Sequence, residues 1–237
     1  MRLDKFTAHL ADSRKEIRKI ISDGLISVNG KTVKNAGLAV TDNDIIEFRG
    51  ERVIYREFIY IMMNKPAGVV SATFDPRQKT VIDLLPKEMK RFEPFPVGRL
   101  DIDTEGLLLL TNDGQAAHRL LSPKRKVPKK YIAHIDGVMT EEETERFESG
   151  VVLDDGYKTL PAKLCPVQTC EDEAIYEVTI SEGKFHQIKR MFAEFGKKVL
   201  YLKRVEFASL SLDKSLKNGE FRELSSEETT KLFKIMQ

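Results

Sequence analysis

The junction at residues 98–114 constrains this chain more than any other stretch. Gly98-Arg99-Leu100-Asp101-Ile102-Asp103-Thr104-Glu105-Gly106 carries one cation and three carboxyl groups, and it runs directly into four leucines, Leu107 to Leu110. The run stops at Asn112-Asp113-Gly114, a strong turn signal. A short apolar run closed off by turn residues reads as a buried strand. The polar loop before it is then held at the edge of a core, where a rigid scaffold presents chemically active groups. The plainer reading is a solvated acidic loop whose carboxylates pair with Arg99. Which of Asp101, Asp103 and Glu105 matters is open on these grounds alone.

At 237 residues, 41% hydrophobic and 32% charged, the chain suits one large domain or a small one beside a medium one. The opening Met1-Arg2-Leu3-Asp4-Lys5 lacks the apolar segment of a signal peptide, and no apolar run approaches membrane-spanning length. Cys165 and Cys170 have four residues between them, unlike a Cys-x-x-Cys metal or redox pair. A cytoplasmic monomer with reduced cysteines and no membrane partner is expected. Net charge is only +2, but the cations are segregated. Arg14, Lys15, Arg18 and Lys19 crowd one segment; Arg119, Lys124, Arg125, Lys126, Lys129 and Lys130 form a second cluster. Lys184, Lys189, Arg190, Lys197, Lys198, Lys203 and Arg204 form a third. Any single cluster is an ordinary solvated face; three basic patches on a near-neutral chain point to a polyanion.

The chain divides near residue 58. Residues 3–10 and 13–22 read as short helices, the second capped by Ser13 with Glu16 three residues on. Ile17, Ile20 and Ile21 line its buried face, which turns Arg14, Lys15 and Arg18 outward. Asn29-Gly30 joins Leu25–Val28 to Thr32-Val33 as a hairpin. Beyond it, Phe58–Met63 reads as a buried strand followed by a turn at Asn64–Gly68, residues 115–121 as a helix, and Lys130–Ile135 as a strand. Thr140 and Glu143 form a capping box on an acidic helix ended by Gly150, and residues 151–181 alternate as strands. Ile188, Met191, Phe192 and Phe195 make a helical stripe that leaves Lys189 at its rim, within reach of a buried carboxylate. Strand continues to about Leu212, then a charged loop and a last helix capped by Ser225 and Glu228.

Ser13-Arg14-Lys15 followed by Gly24-Leu25-Ile26-Ser27-Val28-Asn29-Gly30-Lys31-Thr32-Val33 resembles the S4 RNA-binding module. The resemblance implies that residues 1–58 hold structured RNA by shape and phosphates, with Arg14, Lys15 and Arg18 in contact. Residues 59–237 resemble a pseudouridine synthase. The motifs are Asn64-Lys65-Pro66-Ala67-Gly68, Gly98-Arg99-Leu100-Asp101 with Thr104 and Gly106, Lys130-Tyr131, and Glu182-Gly183-Lys184-Phe185-His186-Gln187-Ile188-Lys189-Arg190-Met191-Phe192.

That resemblance implies an α+β catalytic domain: a mixed, mostly antiparallel sheet with flanking helices and a cleft across it. It makes Asp101 the catalytic carboxylate, acting on the sugar or the base, or as a base through a glycal route. Tyr131 becomes the stacking aromatic, and Lys189 the cation that keeps a buried carboxylate ionised. Many relatives carry Arg where this chain has Lys189. The resemblance ranks Asp103 second; read from the residues themselves, Asp103 is a hydrogen-bonder to backbone amides, Glu105 a solvated side chain, and His186 a packing or capping residue. Arg99, Lys124, Arg125, Lys126 and Lys130 would contact RNA. Detaching uracil and reattaching it through C5 needs no cofactor and no metal. Phe185-His186-Gln187-Ile188-Lys189-Arg190, with Asp113-Gly114-Gln115 and His118-Arg119, is similar to members acting on small-subunit 16S rRNA at position 516. A synthase of large-subunit rRNA, a non-catalytic rRNA-binding or assembly protein, and an unrelated carboxylate hydrolase are the competing readings.

Overall fold

The computed structural model describes residues 1–41, 43–170 and 172–236, without the side chain of Met236. They fall into two units: the described residues of 1–59 with 85–93, and those of 60–84 with 94–236.

In the first unit the opening helical stretch is two pieces, α1 (Leu3–Phe6) and a 3-10 turn at Ala8–Leu10, followed by α2 (Arg14–Ser22). Ser13 Oγ accepts the Glu16 N–H, but the Glu16 carboxylate reaches back one residue further, to the Asp12 N–H. Strands β1 (Ile26–Val28), β2 (Lys31–Val33), β3 (Ile46–Phe48) and β4 (Glu51–Val53) form an antiparallel sheet in the order β2-β1-β3-β4. Asn29 and Gly30 both have positive φ, 52° and 76°, as a two-residue hairpin turn requires. Leu3, Phe6, Ile17, Ile21, Ile26 and Ile46 close the core. A later segment containing α3 (Lys87–Lys90) belongs to this unit. Arg91 bonds Asp12 and the His9 carbonyl, and Phe92 stacks on His9.

The second unit contains β5 (Tyr60–Lys65), β6 (Phe95–Pro96), β7 (Glu105–Thr111), α4 (Gly114–Leu121), β8 (Lys129–Asp136), α5 (Glu141–Ser149), β9 (Lys163–Thr169) and β10 (Glu173–Ile180). It ends with α6 (Gln187–Ala193), β11 (Val199–Phe207), β12 (Leu210–Ser211), β13 (Phe221–Glu223) and α7 (Ser226–Met236). Among the described residues the strands form one nine-stranded sheet with the path β13-β5-β7-β11-β8-β10-β9, and off this path β6 pairs with β7 and β12 with β11. β7 pairs parallel with β11, while the other pairings along this path are antiparallel. The leucine strand β7 lies between β5 and β11, so Leu107 to Leu110 are all fully buried. Leu107 and Leu109 pack with Ala116, Ala117 and Leu120 of α4 and Leu232 of α7. Each buried leucine contributes about 2 kcal/mol. The turn expected at Asn64–Gly68 begins later, because Asn64 and Lys65 pair with Leu107 and Gly106 as the end of β5. β13 occupies what reads as a charged loop; it completes the outer edge of β5.

Candidate active site

The loop before β7 is fixed from beneath. Lys65, with no exposed surface, projects its ammonium into a cage of carbonyls. Nζ donates to Pro66 O at 3.0 Å, Asp101 O at 3.1 Å, Ile102 O at 3.3 Å and Thr104 O at 2.9 Å. Burial pushes its pKa down to about 8, against the pull of the carboxylates of Asp103, Asp101 and Glu105. The Thr104 N–H closes the turn onto Asp101 O at 3.1 Å, the Gly68 N–H donates to Ile102 O at 2.7 Å, and Ser71 Oγ brackets Leu100 through both its N–H and its carbonyl. Gly106, at φ 101°, permits β7 to approach β11: a Cβ there would lie 2.2 Å from Arg204 O.

With its backbone held, the loop offers carboxylates to α6. Ile188, Met191 and Phe192 are buried and anchor that helix, leaving Lys189 at the rim. Its Nζ lies 3.6 Å from Asp101 Oδ2 but 2.6 Å from Asp103 Oδ1. The hydrogen bond from Lys189 holds the Asp103 carboxyl below the usual carboxylate range. Asp103 is therefore the closer partner of the lysine, and its carboxylate also accepts from its own backbone N–H; the turn carries its side chain outward, where it is 67% exposed. His186 starts α6 in the left-handed region, φ 49°, with no side-chain cap. Its Nε2 instead stands 3.6 Å from Asp101 Oδ1, and the exposed Phe185 ring stacks on it at 3.8 Å. Glu105 is tied down rather than solvated, accepting from the Tyr201 hydroxyl at 2.8 Å and Asn218 at 3.0 Å.

Asp101 and Lys189 border a pocket of about 330 Å³ whose walls also include Arg99, Thr104, Lys129, Tyr131, Glu182, His186 and Arg204. This is within the range of small-ligand sites, about 300–1,000 Å³. Tyr131 is buried in the alternating pattern of β8, with Ala133 and Ile135. Side chains two apart on a strand share a face, so Lys129 joins Tyr131 in the pocket while Lys130 points away. Lys130 accordingly pairs with Glu177 at 3.1 Å and Glu206 at 3.4 Å on the neighbouring strands. Lys130, expected as an RNA contact, is thus held by two carboxylates on the face away from the pocket. Lys129 donates to Val127 O at 2.9 Å, and burial, with Arg204 nearby, pushes its pKa down to about 8. Glu182 is buried and accepts from the Tyr157 hydroxyl, the Leu160 N–H and Gln187.

The other expected RNA contacts are exposed: Arg14, Lys15 and Arg18 on α2, Arg99 at the pocket, and Lys124, Arg125 and Lys126 in the loop before β8. Arg18 also lies 3.6 Å from Asp4, and Arg125 donates to Ile235 O. The sequence pattern does not single out Lys65, Lys129 and Arg204 as site residues. Alternation about Tyr131 was the available signal for Lys129; Lys65 looks like part of a turn and Arg204 like one more strand cation.

Residues 59–194 match the RNA pseudouridylate synthase family, and residues 1–46 match the S4 domain. An uncharacterised RNA pseudouridine synthase of Bacillus subtilis is 50% identical over 96% of both chains. A ribosomal large subunit pseudouridine synthase B of the same organism is 40% identical, covering 98% of this chain and 95% of its own. A ribosomal small subunit pseudouridine synthase A of Vibrio vulnificus is 39% identical, covering 99% and 100%. A crystal structure of a pseudouridylate synthase superposes with a TM-score of 0.69 at 35% identity, covering 98% of this chain and 99% of that one. A polar loop held on a buried strand, a carboxylate and a lysine at the mouth of a tyrosine-lined pocket, and these matches together establish that the chain belongs to the RNA pseudouridylate synthase family, as a member that carries an S4 domain.

Proposed function

We propose that this enzyme converts a uridine of ribosomal RNA to pseudouridine, with Asp101 as the nucleophile on a flipped-out nucleotide. The observation that carries the reading is a convergence. Asp101 before β7, Tyr131 on β8 and Lys189 on α6 line one pocket, with the lysine 3.6 Å from the aspartate. In the reaction the C1′–N1 bond breaks, the ring turns, and a C1′–C5 bond forms. C5 loses its proton and N1 gains one, so atoms and electrons balance without an external reagent. Flipping the base costs a few kcal/mol; stacking on an aromatic ring returns about 1–3 kcal/mol. Phosphate contacts from Lys124 and Lys126, and from the S4 unit through Arg14, Lys15 and Arg18, supply the rest and raise the effective concentration of the RNA.

The substrate we favour is small-subunit 16S rRNA, free or as a ribonucleoprotein, at the uridine of position 516, with the enzyme acting as a cytoplasmic monomer. The Phe185–Arg190 sequence supports this choice. Large-subunit rRNA is the second reading, favoured by the 40% identical relative named for that subunit. Both are tested together. Small- and large-subunit RNA are treated with wild type or Asp101→Asn, and pseudouridine is located by carbodiimide-blocked primer extension. One new stop in 16S RNA, absent with the variant, is the expected result. Modification by Asp101→Asn would refute the nucleophile; a stop only in large-subunit RNA would refute the substrate.

A further inference from the structure

Two polar side-chain atoms in the pocket wall are buried with no hydrogen-bond partner among the described residues: Nη2 of Arg204 and Oγ1 of Thr104. Leaving a buried donor unmade costs about 1–3 kcal/mol, more for a charged group. Arg204 is only 2% exposed. Its Nε donates to Leu107 O at 2.8 Å, and its guanidinium carbon lies 5.0 Å from the Phe207 ring, so the group is held in place while Nη2 goes unused. In the sheet, Arg204 stands opposite Tyr131 of β8 and Gly106 of β7. It therefore lies between the stacking aromatic and the start of the strand that carries the Asp101 loop. Lys129, two residues before Tyr131, adds a second cation to the same pocket, its Nζ 6.0 Å from the Phe207 ring. Glu182, the buried carboxylate of this pocket, already has three donors.

Accepting the pocket as the pseudouridine site, we propose that Arg204, assisted by Lys129, is a catalytic residue that donates to a carbonyl oxygen of the target uracil and stabilises the charge on the detached ring. When the C1′–N1 bond breaks, its electron pair stays with the ring, spread over N1 and the carbonyl oxygens. That charge is discharged when C5 bonds to C1′; C5 then loses its proton and N1 takes one up. An unpaired guanidinium N–H buried in the pocket wall is a donor available to such an anion, and removing one donor of this kind slows a reaction about 10²–10³-fold. Thr104 Oγ1 is free to bond the remaining imide edge. A phosphate is a poorer occupant, since it stays on the RNA strand at the pocket mouth while the ring enters.

The test uses full-length wild type, Arg204→Met, Arg204→Lys and Lys129→Met under single-turnover conditions. The rRNA transcripts carry either uridine or 5-fluorouridine, whose more acidic ring bears the charge with less help. Cleavage of the C1′–N1 bond is followed by nuclease digestion and mass spectrometry, and RNA affinity is measured separately. The expected result for Arg204→Met is a rate loss on the order of 10²-fold on uridine RNA, several-fold less on 5-fluorouridine RNA, with affinity nearly unchanged. Arg204→Lys should recover part of the rate. Lys129→Met should show the same pattern at smaller size, which keeps the proposal testable if Arg204→Met does not fold. Equal losses on both RNAs, or a loss of affinity at unchanged rate, would overturn it. If wild type modifies neither RNA, the pseudouridine reading falls; if wild type is active and these variants match it, only the role of Arg204 falls.

Discussion

Replacing Lys65 separates what holds this fold from what arms its site. In Lys65→Met four carbonyls lose the ammonium, but not equally. Asp101 O keeps the Thr104 N–H at 3.1 Å and Ile102 O keeps the Gly68 N–H at 2.7 Å. The cost therefore concentrates on Pro66 O and Thr104 O, at about 1–3 kcal/mol each. Against this, the lysine is itself strained by burial: a fall from 10.5 to about 8 corresponds to roughly 3 kcal/mol of disfavoured charge. The two effects largely offset, and methionine refills the volume, so stability should change by no more than about 3 kcal/mol. Catalysis should not be spared. Lys65 is the group that binds the backbone on both sides of the Asp101 turn, and a displacement of about 1 Å at a reacting group costs on the order of 10²-fold in rate. Urea denaturation followed by circular dichroism measures the first quantity, and single-turnover pseudouridine formation the second. A folded Lys65→Met enzyme within about threefold of wild type would refute the idea that this cage positions Asp101.

Further outcomes follow from the same geometry. The wild-type rate should fall as pH rises through about 8, because a neutral Lys65 amine offers two donors to four carbonyls. Stability should not fall with it: the folded pKa lies below the unfolded one, so between about 8 and about 10.4 the unfolded chain binds more protons and the contribution of Lys65 rises with pH. A rate–pH profile and thermal melts across that window check both signs. Gly106→Ala should lower stability by about 3 kcal/mol or more, since its Cβ would meet Arg204 O at 2.2 Å where φ is already 101°, and a melting temperature within about 2 °C of wild type would contradict this. Asp103→Asn should change the rate by less than about fivefold, because its pair with Lys189 is 67% exposed on the acidic side; a loss as large as that of Asp101→Asn would reverse their ranking. Lys130→Ala should leave RNA affinity unaltered, whereas Lys124→Ala with Lys126→Ala should weaken it and flatten its salt dependence by about one to two units of slope.

What could be read from the sequence depended on how local its cause was. The Asn29-Gly30 hairpin, the Thr140–Glu143 capping box and the leucine strand are each specified by residues within one turn or one strand, and each is where the pattern puts it. The α+β architecture is what the family resemblance implies, and the mixed sheet with its helices matches it. Residues whose meaning depends on register were misread. Lys65 looks like part of an Asn-Lys-Pro turn until β5 pairs with β7 and sets it against Gly106, beneath the loop. Lys189 lies on the rim of α6 as the 3.6 periodicity requires, yet nothing in that period says which of two aspartates it meets, because the turn closed by Thr104 decides that. Arg204 is the extreme case. Its neighbours in space, Gly106 and Tyr131, come from two other strands, and only their joint register turns a strand cation into an unpaired donor in a pocket.

The three misread cations share a further property. Lys65 and Lys129 are depressed to about 8, and Arg204 holds an unused N–H, so each sits where the fold alone gives it incomplete compensation. Their partners differ. Lys65 finds three carbonyls of the loop before β7 and that of Pro66, which makes it a positioning group; Lys129, bonded to Val127 O, and Arg204, with Nη2 unpaired, both line the pocket. A fold selected only for stability would replace such cations with apolar residues of similar volume. Two such cations in the wall of one pocket fit the role proposed for Arg204 and Lys129: the compensation comes from the substrate, most strongly at the moment its ring carries negative charge.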